Sequence, residues 1–124
     1  MPNLRRGMRR FSIATALWAT LVASVVVGEP TPEQLDHFES RIRPVLVQQC
    51  YACHNSQDQS EGELALDSRE GLLAGGVGGP ILVAGQPEAS RLLAVLRHEI
   101  PGLEMPQDGP KLDGHTIADF EKWI

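Results

Sequence analysis

The chain's two cysteines stand two residues apart and are followed directly by a histidine, in the run Cys50-Tyr51-Ala52-Cys53-His54. A Cys-x-x-Cys-His run is the attachment signature of a c-type haem. Each thiol adds across one haem vinyl group, and the two-residue gap matches the spacing of the vinyls along one porphyrin edge. His54 then lies where an imidazole nitrogen can bind the iron as its proximal ligand. One covalent haem, and the movement of electrons through it, is the chemistry this spacing predicts. Three blander readings compete. Half of a structural zinc site would need four ligands, but there is no further cysteine, and His37, His98 and His115 are scattered singly. A thioredoxin-like dithiol would want a βαβ pattern around the motif, whereas residues 35–53 read as helix. A plain disulfide would leave His54 as coincidence.

An iron bound by one histidine has a sixth position to fill, and methionine is the usual choice in cytochromes c. Met1 and Met8 lie in the first segment of the chain, which leaves Met105. It precedes Pro106, and a proline confines its predecessor to extended backbone, which could aim the thioether at a plane. A lone methionine is more ordinarily core filling. Its place in a loop between two predicted helices, well after the haem motif, favours ligation. His98 and His115 compete for the role. His98 falls near a predicted helix C-terminus, where an imidazolium suits the macrodipole, and His115 falls in the first turn of the last predicted helix. Both read as solvated. Arg91 and Arg97 are candidate partners for a haem propionate, but they read as ordinary helix-surface arginines.

Residues 1–28 read as a targeting segment rather than as fold. Arg5, Arg6, Arg9 and Arg10 form a basic start, and Phe11 to Val27 carry no charge. Val26 and Gly28 are small enough for cleavage before Glu29, and the length of the apolar run also suits an uncleaved membrane anchor. Export is the expectation, to a periplasm or equivalent space, because c-type haem is attached after the chain crosses a membrane. Residues 29–124 then form one small domain. Phe38, Tyr51, Phe120 and Trp123 are its aromatics. So thin a core would gain from a covalently held porphyrin, as other small domains gain from a metal or disulfide. Beyond the leader, seven basic residues face 16 acidic ones, a net charge of −9. That balance disfavours nucleic acid and anionic lipid and favours a basic redox partner. Simple solubility explains it equally well.

The elements around the motif read as helices joined by long loops. Thr31-Pro32-Glu33 starts a helix, in which Leu35, Phe38, Ile42, Val45 and Leu46 make one apolar face. Pro44 should kink or divide it. Residues 55–66 read as loop, and Asp67-Ser68-Arg69-Glu70 as the cap of a short helix with Leu72 and Leu73. The glycine run 75–79 lacks a following Lys-Ser/Thr pair, so a flexible loop is expected rather than a phosphate cradle. Ile81-Leu82-Val83 reads as a short extended piece. Pro87 and Glu88 open a helix carrying Leu92, Leu93, Val95 and Leu96. Asp113 caps a last helix with Ile117, Phe120 and Ile124 on one face and Trp123 beside it.

Residues 38–124 resemble the planctomycete-type cytochrome c domain. The resemblance rests on Phe38 to Pro44 (FESRIRP) leading into the haem motif, on residues 62–70 (GELALDSRE) with their following glycines, on residues 87–93 (PEASRLL), on Met105-Pro106, and on the closing residues 120–124 (FEKWI). It implies an all-α, class I cytochrome c-like fold wrapped around one haem, with Cys50 and Cys53 as attachments, His54 proximal and Met105 distal. Members of the family often continue into large further domains, whereas this chain stops at Ile124, within what reads as a helix cut short. The expected function is an exported monohaem electron carrier rather than an enzyme. Its rivals are a haem-bearing module of a larger exported enzyme, and a peroxidase or gas-binding protein with an open sixth site.

Overall fold

Thr31 starts the first helix by exchanging bonds with Gln34. The Thr31 hydroxyl accepts the Gln34 amide at 3.3 Å, and the Gln34 side-chain oxygen accepts the Thr31 amide at 2.8 Å. This reciprocal cap satisfies two amides that the helix would otherwise leave bare. The structure, a computed structural model, describes residues 28–58 and 60–124. The leader thus lies outside the described residues except for Gly28. Helix α1 (Pro32–His37) passes through a π turn (Phe38–Ile42) into α2 (Arg43–Gln49), which delivers Cys50. Three helices follow: α3 (Arg69–Ala74), α4 (Arg91–Leu96) and α5 (Gly114–Trp123), with single 3₁₀ turns at Glu61–Glu63 and Pro87–Ala89. Among the described residues there is no strand, so the all-α expectation holds. None of the described helices is long and apolar enough to cross a membrane.

The proline in the first helical stretch is absorbed rather than broken over. The Arg43 amide donates to the Phe38 carbonyl five residues back, and the widened turn ends just before Pro44, a ring with no amide to give. That extra residue also changes which side chains face inward. Ile42 and Leu46 are wholly buried, and Phe38 and Val45 pack against the core. Leu35, expected on the same face, is 49% exposed. One inserted residue rotates everything on its N-terminal side by about 100°, which carries Leu35 off the stripe.

The core forms where the π turn and α4 meet α5. Phe120, 1% exposed, sits at its centre with Leu93. Trp123 bridges outward, 5.5 Å from the Phe38 ring and edge-on to Phe120 at 6.1 Å. Such offset and edge-on pairs stabilise beyond their buried area. His37 Nε2–H donates to the Asp119 carbonyl at 3.0 Å, tying α1 to α5. Helix α5 begins as expected: one Asp113 carboxylate oxygen accepts the amides of His115 and Thr116 at 2.9 and 3.1 Å.

Within the expected run of residues 67–70, the cap of α3 is Ser68, whose hydroxyl accepts the Gly71 amide at 3.0 Å. Asp67 instead accepts the amide and hydroxyl of Ser56, which ties down the loop after the motif. Leu72 is buried, but Leu73 is 64% exposed. The glycine run is a pinned turn, not a flexible loop: Gly76 and Gly79 exchange amide–carbonyl bonds, and the Val77 amide reaches the Gly62 carbonyl at 2.8 Å. Finally, Pro87 does not open α4. Its 3₁₀ turn ends at Ser90, whose extended backbone (φ −86°, ψ 116°) separates it from the helix.

Candidate functional site

The last turn of α2 carries straight into the cysteine–histidine run. The Cys50 and Tyr51 amides both reach the Leu46 carbonyl, at 2.9 Å each, and the Cys53 and His54 amides return to the Cys50 carbonyl at 3.1 and 2.9 Å. These bonds coil the five residues into one turn, so that Cys50, Cys53 and His54 all line a single cavity. Met105, 51 residues further along, lines the same cavity. The fold therefore brings together all four residues singled out by the sequence.

The cavity measures about 360 Å³, within the range of small-molecule and cofactor sites. Its walls are mainly apolar, with Leu64, Leu66, Ile81, Leu92, Val95 and Leu96 among them. The pinned glycine turn closes one side. Arg91 holds it there, donating from Nη1 to the Gly78 carbonyl at 2.9 Å. Such a lining suits a large flat apolar group.

His54 provides a sharper test of fit. Its Nδ1 lies 3.1 Å from the Glu61 carbonyl oxygen, and a carbonyl only accepts, so Nδ1 carries the proton. Nε2 is then the nitrogen with a free lone pair, the tautomer a metal ligand requires. The Glu61 amide in turn donates to the Cys53 carbonyl at 2.9 Å. The two bonds fix Glu61 over the motif and the ring against it.

The cysteines themselves are free. Cys50 is half-buried, and that burial pushes its thiol up to about 11, with the neighbouring Cys53 adding to the shift. No group of three or more His, Cys, Asp or Glu among the described residues could hold a metal ion, which removes support from the zinc reading.

Met105 is held at both ends of its own backbone. Its amide donates to the Val95 carbonyl at 3.1 Å, and its carbonyl accepts from His98 Nε2–H, also at 3.1 Å. The peptide to Pro106 is cis. His98, read from sequence as solvated, is thus half-buried and engaged with the Met105 loop, while His115 is exposed as expected. Arg97 lies away from the cavity, joining Glu88 at 2.8 Å and Glu121 at 3.1 Å. The ion pair with Glu88 holds that carboxyl below the usual range. Sequence reasoning missed both His98 and the glycine wall. The wall had a signal, since closely spaced glycines also mark close backbone approach.

The family model for Planctomycete cytochrome C matches residues 50–109 of the chain. No curated protein and no solved structure matches it.

Proposed function

We propose that this protein is an exported monohaem electron carrier, a reading supported by the match of residues 50–109 to the family model for Planctomycete cytochrome C. Haem c would be held through thioether bonds from Cys50 and Cys53, with His54 Nε2 as the proximal ligand and the Met105 thioether in the sixth position. Bound there, it supplies a one-electron Fe(II)/Fe(III) couple. The chain's part is to keep water from the cavity, hold the ligands and maintain one coordination in both oxidation states. The observation that carries the reading is the His54 Nδ1–H bond to the Glu61 carbonyl, at 3.1 Å. It readies Nε2 for a metal in a residue that shares an apolar cavity with two thiols and a thioether.

The acidic balance beyond the leader supports a basic redox partner, with association that weakens as salt rises. The basic and apolar leader supports delivery outside the cytoplasm.

The test is expression in a host with haem-attachment machinery. The matured protein should show a c-type pyridine haemochrome and a mass increased by one haem, and Cys50→Ser with Cys53→Ser should remove both. Met105→Ala should lower the reduction potential and let the ferrous protein bind CO. Colourless parent protein of bare polypeptide mass overturns the proposal. A parent protein that already binds CO readily points instead to an open sixth site.

A further inference from the structure

Helix α4 ends in a Schellman motif: the Glu99 amide reaches the Ala94 carbonyl at 2.9 Å, and the His98 amide reaches the Val95 carbonyl at 3.2 Å. The motif needs left-handed backbone at the residue after the cap, and His98 has φ +58°. Glycine takes that conformation without a steric penalty, whereas a side chain there crowds its own backbone. A histidine in this place therefore calls for a use of its ring. The left-handed turn carries the half-buried imidazole to the Met105 carbonyl, to which Nε2–H donates at 3.1 Å. The Met105 amide, meanwhile, is bonded to Val95 on the same helix end. Val95 itself lines the cavity, so the bonds tie the Met105 loop to a cavity wall.

We propose that His98 is a positioning residue for Met105, holding its backbone so that the thioether stays on the iron against competing ligands. The proposal rests on the reading of Met105 as the sixth ligand. His98 does not touch the iron in this role, and either the neutral Nε2–H tautomer or the imidazolium can make the bond.

The test uses four haem-loaded proteins: the parent, His98→Gly, Met105→Ala and the double variant. Each is titrated with imidazole in its ferric form by absorbance, and each is unfolded in guanidinium and followed by circular dichroism. Glycine suits the left-handed position, so the unfolding midpoint of His98→Gly should equal or exceed that of the parent. Its imidazole affinity should nevertheless rise by about threefold to tenfold, the effect of losing one hydrogen bond that holds the native ligand. In the Met105→Ala background the same change should have no effect on imidazole affinity, because nothing remains to be positioned. Unchanged affinity in His98→Gly overturns the proposal, as does a gain that persists in the double variant or one that comes with a lowered midpoint. If Met105→Ala binds imidazole no more tightly than the parent, the ligand assignment fails and the proposal with it. That outcome differs from failure of His98 alone, in which Met105→Ala still gains affinity.

Discussion

Ser90 stands immediately before α4, where a serine ordinarily serves as N-cap, yet its side chain caps nothing in that helix. The residue is 1% exposed and its hydroxyl turns back on the preceding loop. It accepts the Val83 amide at 2.9 Å and donates to the Gln86 carbonyl at 3.0 Å. These bonds seat the turn before α4 against the helix whose Leu92, Val95 and Leu96 line the cavity. Ser90→Ala would leave the Val83 amide without its acceptor, at a cost of about 1–3 kcal/mol. In a domain of this size that lowers the melting temperature by roughly 4–8 °C for each kcal/mol. Ser90→Asp separates the two roles. An N-cap takes aspartate as readily as serine, but a carboxylate at this buried point faces the Val83 and Gln86 carbonyls, so it should destabilise more than alanine. Guanidinium unfolding of the haem-loaded protein at pH 7, followed by far-ultraviolet circular dichroism, gives both values by linear extrapolation. An aspartate variant as stable as the parent would refute the reasoning.

Gly75→Ala should destabilise by about 1–3 kcal/mol, because Gly75 has φ +72° and a Cβ there would press on the Gly79 carbonyl and lie 2.9 Å from Pro80 Cα; unfolding midpoints measure it. Gly78→Ala, whose Cβ would push the Arg91 guanidinium from its bond to the Gly78 carbonyl but has no positive φ to strain, should cost less by the same assay. Hydrogen bonds, first from the Thr116 hydroxyl and then from its amide, hold the Asp113 carboxyl below the usual aspartate range. A carboxyl lowered in the folded state contributes stability that is present above its unfolded value and lost as pH falls through its folded one. The unfolding midpoint should therefore fall below about pH 4, and less steeply in Asp113→Asn, which keeps a cap without a titrating group; equal slopes would refute this. His54→Ala matured with haem should lose the low-spin spectrum of the parent, and an unchanged spectrum would place the proximal ligand elsewhere.

What could be read from the chain beforehand divides along a physical line. Capping at Thr31 and Asp113, the apolar faces of α2 and α5, and the gathering motif of residues 50–54 are set by neighbours in sequence, and periodicity and residue type disclose them. Leu35 was misplaced because a π turn shifts the helical phase, and nothing in a local apolar count signals the extra residue. His98 was misjudged, and Ser90 went unread, for a shared reason. Each stands at a helix end where its type has a ready local role, and each hydroxyl or ring is instead turned to a loop carbonyl or amide by packing that only the folded chain defines. Met105 was legible as a candidate because residue type and order marked it. The two bonds that hold its backbone were not.

The glycine turn also bears on how charge would reach the interior. Gly78 is exposed to solvent on one side and borders the cavity on the other, and beside it Val77 is 77% exposed. At that spot the main chain of the turn lies between solvent and the cavity. For the carrier proposed above, a protein docking over Val77 would approach the cavity across this turn, and bulkier residues there would lengthen the tunnelling gap.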